Sequence, residues 1–205
     1  KKGNVMAQHF LGGFYLNGLK GFPVNKKLAL KWFRASKDHH PASLFFLGNF
    51  HRTGDCGVEK SEVKFRCFMK EAADAGYIDA QDEYAFLCWW GTGGEVDRVS
   101  AARYASLRFS HGDDGTESGQ KPVASAWILG SLRQFGEGGL DQSQILAKHY
   151  LQLAVDRSHP FAYFQLAQEL INENRLVYDG SVDGNTTVPG FCPIPKALYL
   201  ARTAL

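Results

Sequence analysis

The chain is poor in the features that would commit it to the commonest specialised classes. Its 205 residues hold four cysteines, Cys56, Cys67, Cys88 and Cys192, sparse and irregularly spaced. That is not the dense framework that staples a small secreted domain, and a chain of this size folds without one. Free buried thiols are expected. No apolar run approaches the ~18 residues that a membrane-crossing helix requires, so no membrane span is predicted. Charge of one sign is missing as well: 23 Lys+Arg against 21 Asp+Glu leave a net +2. That field is too weak to draw a nucleic acid or an anionic lipid surface. The opening "KKGNVMAQHF" lacks the apolar core and cleavage site of a signal peptide. It also falls inside a repeat unit, so a fragment of a longer protein is one expectation. The compartment stays open: the cytoplasm is favoured, and in a secretory lumen the "NTT" at Asn185 would accept a glycan.

What the chain has instead is an ordinary globular composition, 44% hydrophobic and 21% charged, and an internal period. Aligned on one Leu slot, "LGGFYLNG", "LGNFHRTG", "YAFLCWWG", "LGSLRQFG" and "LAQELINE" begin at Leu11, Leu47, Tyr84, Leu129 and Leu166, at intervals of 36, 37, 45 and 37 residues. The polar insert "DDGTESGQK", residues 113–121, accounts for the one long interval. Five units result, approximately 3–38, 39–75, 76–111, 122–157 and 158–205, the last with a long loop over 174–195.

Each unit predicts two helices. In the first, Ala7, Phe10, Leu11, Phe14 and Tyr15 recur at helical spacing, and Gly18 closes it as a left-handed residue, with Gly54, Gly91 and Gly136 in the same slot. The second starts from Asn25, Ser61, Asp97 or Ser143, all good N-cap types, each four residues before Ala29, Phe65, Ala101 or Ala147. Pro41 and Pro160 suit the first turn of the next unit, where a missing N–H is harmless. Mid-helix Gly12, Gly48 and Gly130 cost about 1 kcal/mol each against Ala. Close packing must offset this, with Trp32, Phe68, Tyr104 and Tyr150 as the facing bulk. A single helix pair cannot bury both faces, so the pairs stack. The expected fold is all-α, a right-handed αα superhelix of about five repeats.

These residues resemble the Sel-one-like repeat family, whose units are related to tetratricopeptide repeats. Its opening Ala falls on Ala7, Ala80 and Ala162, its Leu-Gly on Leu11-Gly12, Leu47-Gly48 and Leu129-Gly130, its Gly-Val turn on Gly57-Val58 and its Ala-Ala-x-x-Gly on Ala72, Ala73 and Gly76. The Lys-Ala of its second helix falls on Lys196-Ala197. The Tyr slot filled by Tyr15 changes to His51, Cys88, Arg133 and Leu170, and the fifth unit loses its closing Gly. The resemblance implies a protein-interaction scaffold or adaptor, with a luminal protein-quality-control adaptor as a further alternative.

Positions that vary between units are the places to look for a protein or peptide partner. Two residues before the Leu slot stand His9, Phe45, Asp82, Trp127 and Phe164; two after it Gly13, Asn49, Phe86, Ser131 and Gln168; five after it Leu16, Arg52, Trp89, Gln134 and Ile171. They lie along one stripe of the first helices and either meet a partner or fill the contacts between neighbouring pairs. Trp89 and Trp90 are the sharper candidates: they end a helix where other units carry Leu-Asn, Arg-Thr and Gln-Phe, so at least one should be exposed. The candidate binding set is therefore Trp89, Trp90, Phe86, Asn49, Arg52, His9 and Asp82.

Catalytic signals are weak. "GTGGEV" shares only its glycines with a phosphate loop, lacking the following Lys-Ser/Thr, and is expected to be a turn between helices. His39, His40, His51 and Cys56 lack metal-ligand spacing. No cofactor, metal or enzymatic activity is predicted; a thiol- or metal-dependent enzyme on the same scaffold is the alternative. The oligomeric state is not encoded in any of these patterns.

Overall fold

A computed structural model describes residues 4–110 and 123–178, with side chains of the last helix described through Glu169. Helices α1 (Val5–Asn17), α2 (Lys26–Ser36), α3 (Pro41–Thr53), α4 (Glu62–Asp74), α5 (Ile78–Trp90), α6 (Arg98–Ser110), α7 (Val123–Phe135), α8 (Gln144–Asp156) and α9 (Pro160–Tyr178) follow one another in antiparallel pairs. Odd-numbered helices are the first of each unit and even-numbered ones the second. Each helix packs on the next, and α5 also packs directly on α7. The result is an all-α solenoid. The insert 113–121, Cys192, Asn185 and the fifth unit's second helix around Lys196-Ala197 lie outside the described residues.

The capping chemistry sets the boundaries. Asn25, Ser61 and Ser143 accept from the backbone N–H of Leu28, Lys64 and Leu146, and Asp97 accepts from that of Ser100 at 2.9 Å. Gly18, Gly54, Gly91 and Gly136 all take φ between 68 and 76°, a region open to glycine at little cost. Pro41 lies at the first turn of α3, as expected.

Four expectations are corrected. A Cβ on Gly12 or Gly130 would meet Phe33 or Leu151, one residue beyond Trp32 and Tyr150, and a Cβ on Gly48 would meet Met69 first, with Phe68 beside it. Phe33, Met69 and Leu151 each lie four residues after buried Ala29, Phe65 and Ala147, on the same helix face. Phe10 is 52% exposed and Ala7 is exposed, because no described helix lies ahead of α1 to cover them. Cys67 is exposed, whereas Cys56 and Cys88 are buried and free. Finally, α9 continues to Tyr178, past residue 174 where the loop was expected to start.

Candidate functional site

The stripe of first-helix residues divides into two kinds of position. The slot two before the Leu is a junction between units. His9 stacks on His40 with ring centroids 4.0 Å apart, Phe45 meets Tyr77 at 5.3 Å, and Trp127 stacks on His159 at 5.1 Å. His40 and Tyr77 are the N-cap residues of α3 and α5, and His159 immediately precedes α9. At the third junction Asp82 instead accepts from the backbone N–H and the hydroxyl of Ser125. Burial holds the Asp82 carboxyl above its usual range, opposed by the Ser125 hydrogen bonds and by Arg108. His9 and Asp82 therefore belong to contacts within the array.

The other slots are tied partly across the same junctions and partly within their own helices. Ser131 Oγ and Trp127 Nε1 both donate to Gln165 Oε1 at 2.9 Å, Gln165 donates on to Gln134 at 2.6 Å, and Gln134 reaches Glu169. Asn49 Nδ2 donates to the Phe45 carbonyl of its own helix at 3.1 Å. Arg52 is exposed, 3.4 Å from Glu83 and lying over the Phe65 ring.

The two tryptophans diverge. Trp89 is half-buried, its ring held between the Arg98 guanidinium at 3.8 Å and the edge of Trp127 at 5.0 Å. Arg98 also donates to the Trp89 carbonyl. Trp90, about 100° further round the helix, is 49% exposed. Its ring lies 6.1 Å from Trp127 and nearly parallel to it, 5.9 Å from Phe161 and 6.2 Å from Phe86. Phe161 is itself 50% exposed. An aromatic surface thus runs from the end of α5 across α7 to the start of α9, with buried Trp127 as its floor. Phe161 was not among the sequence candidates. Its signal was faint, a Phe in a slot where the other units carry Met6, Ala42, Asp79 and Ala124.

Among the described residues no group of three or more His, Cys, Asp and Glu is placed to hold a metal ion. Burial pushes the Cys56 and Cys88 thiols up, away from the reactive thiolate. The glycine run at residues 91–94 is a turn pressed on α4: a Cβ on Gly93 would meet the Glu62 carbonyl, and Arg66 donates to the Thr92 carbonyl at 3.3 Å. No described helix is long and apolar enough to cross a membrane.

Comparison with known proteins agrees with this architecture. No curated protein matches the sequence. Among solved structures, a protective antigen present in uropathogenic Escherichia coli strains and displaying an SLR fold superposes with a TM-score of 0.68 at 24% identity, over 99% of this chain and 38% of that one. A Sel1 repeat protein from Oxalobacter formigenes superposes with a TM-score of 0.67 at 19% identity, over 98% of this chain and 72% of that one. The chain thus spans well under half the length of the first. The Sel1 repeat model matches residues 5–39, 41–77, 78–107 and 123–159, four units that coincide with the helix pairs from α1 to α8. The chain belongs to the Sel1 repeat family.

Proposed function

We propose that the chain is a non-enzymatic scaffold that binds a protein or peptide through the aromatic surface at Trp90. The observation that carries this reading is the half-exposed Trp90 ring lying on buried Trp127 and beside exposed Phe161. A large ring on a rigid floor loses little conformational freedom when covered, which is why such residues dominate binding energy at interfaces. Family membership supports the same class, since stacked helical repeats present extended surfaces to other proteins. Phe86 extends the surface along α5, and Asn49 and Arg52 offer polar contacts on the neighbouring first helix. Trp89 supports the surface from below. His9 and Asp82 are left out because their partners lie within the array.

As nucleophiles of the thiol-dependent alternative, Cys56 and Cys88 are disfavoured by the direction of their shifts, opposite to that of an activated thiol. The test of the scaffold reading is affinity capture of a partner followed by titration with variants. Trp90→Ala and Phe161→Ser should each weaken binding about tenfold or more while costing less than about 1 kcal/mol of stability. Undiminished binding by both variants overturns the site.

A further inference from the structure

The second helices carry a surface that the aromatic site does not use. Corresponding slots can be compared from their caps. Two residues after Asn25, Ser61, Asp97 and Ser143 stand Lys27, Val63, Val99 and Ile145. Six after the caps stand Lys31, Cys67, Arg103 and His149, and nine after them Arg34, Lys70, Ser106 and Gln152. Every residue in these slots is exposed. Steps of four and three residues hold them to one face of each helix. That face lies opposite Ala29, Phe65, Ala101 and Ala147, which are buried against the first helices. Because the units stack in the same manner, the four faces form one outer side of the solenoid.

This side holds cations and aliphatics, and none of its slots holds a carboxylate. Lys27, Lys31 and Arg34 follow one another along α2, a helix without Asp or Glu. Among the described residues none of the three belongs to an ion pair. Arg103 continues the row on α6, whereas Lys70 is engaged by Asp74 of its own helix at 2.6 Å. The carboxylates of these helices stand beside the row, at Glu62 and Glu71, or at its far end, at Asp74 and Asp156. The net +2 of the whole chain averages over this separation. Alongside the cations, Val63, Val99 and Ile145 are 60, 64 and 83% exposed. They project singly, one per unit, unlike Trp90 on its Trp127 floor.

We propose that this outer side docks on an anionic lipid bilayer. The negative potential of such a surface draws Lys and Arg, while aliphatic side chains among them enter the boundary between headgroups and acyl chains. A protein partner would have to offer a separate pocket to each of Val63, Val99 and Ile145 as well as an acidic match to α2. A bilayer takes apolar side chains wherever they fall, which favours lipid over an acidic protein. The attachment is peripheral and leaves the aromatic surface to its own partner.

The test is co-sedimentation of the full chain with large vesicles, either of phosphatidylcholine alone or with about 30 mol% phosphatidylserine. The parent should bind the anionic vesicles about tenfold or more better than the neutral ones. Raising the salt to about 0.5 M should release it. Lys31→Glu combined with Arg34→Glu should weaken the binding about tenfold or more, and Ile145→Ser separately about threefold or more, both with thermal melting unchanged because all three residues are exposed. Equal binding to the two kinds of vesicle, or anionic binding that survives both variants, overturns the proposal, as does no sedimentation at all. Binding to polyglutamate without binding to vesicles also overturns it, because the occupant is then an acidic protein segment.

Discussion

The imidazoles of His9 and His40 lie stacked, 4.0 Å apart and 13° from parallel, although 31 residues separate them in the chain. His159 lies on Trp127 in the corresponding way, at 5.1 Å and 19°. The first and fourth junctions of the array are thus closed by histidine rings. The second is closed by Phe45 and Tyr77, and the third by Asp82 and Ser125.

Acid should loosen the histidine junctions. Burial, followed by the His40 charge, lowers His9 from 6.5 to about 4, and burial lowers His159 to about 4. A base whose folded pKa is depressed binds fewer protons folded than unfolded between those values. Stability is therefore full above pH 6.5 and is lost as pH falls toward 4. Asp82 and Glu83, raised by burial, act in the opposite sense, so a difference measurement is needed. His159→Phe keeps a ring on Trp127 without a titrating group. The parent should lose on the order of 1 kcal/mol relative to this variant between pH 7 and 5, read from denaturant melts. Parallel pH profiles would show that His159 protonation is not coupled to the fold.

The junction pairings mark the limit of what was legible in the sequence. The caps Asn25, Ser61, Asp97 and Ser143 and the closing glycines are local chemistry at a fixed offset, so spacing alone located them. The register of one helix against the next depends on how side chains interlock. That is why Phe33 and Leu151 were missed by one residue as the bulk facing Gly12 and Gly130, and Met69 as the first contact of Gly48. The contact of Trp90 with Phe161 joins residues two units apart, and no periodicity encodes it. Neighbouring residues on one helix point about 100° apart, so Trp89 and Trp90 could be nominated together but not assigned their separate surroundings.

Gly48 and Gly130 occupy the same slot yet should differ on substitution. A Cβ on Gly48 would come 2.4 Å from the terminal methyl of Met69, a flexible group that can swing aside, with Phe68 Cβ next at 3.1 Å. A Cβ on Gly130 would come 2.8 Å from Leu151 Cγ and 3.1 Å from Leu151 backbone N. The backbone N cannot move without shifting α8, and Cγ moves only by rotating the Leu151 side chain inside a fully buried junction. Each substitution gains about 1 kcal/mol of helix propensity. Gly48→Ala should therefore be near neutral in thermal melting, while Gly130→Ala should destabilise by about 1–3 kcal/mol. Equal effects would mean that α8 gives way as readily as the Met69 side chain.

Gly93 should be the least replaceable residue of the α5–α6 turn. It holds φ of +71°, and a Cβ there would lie 2.3 Å from the Glu62 carbonyl oxygen and 2.6 Å from its carbon. Strain from the left-handed backbone adds to a clash with main chain that cannot rotate away. Gly93→Ala should cost about 2 kcal/mol or more. It should also raise amide exchange at the start of α4 as well as in the turn. Loss confined to the turn would mean that the contact with Glu62 does not couple the two units.

Trp89→Ala and Trp90→Ala should separate stability from binding. Removing Trp89 takes away the ring between the Arg98 guanidinium and Trp127, opening a void at the junction of the third and fourth units. Truncating an aromatic in such a position costs about 3–5 kcal/mol when fully buried, and Trp89 is half-buried, so about 2 kcal/mol is expected. Trp90 covers Trp127 from the solvent side with half its own area in water, so its removal should cost under about 1 kcal/mol. In binding the order reverses. Trp90→Ala should weaken a captured partner about tenfold or more, while Trp89→Ala, assayed well below its melting temperature, should act less. Melting curves and titrations on the same two variants decide the matter. A destabilised Trp90→Ala, or a partner held equally well by it, would place Trp90 in the scaffold and not in the binding surface.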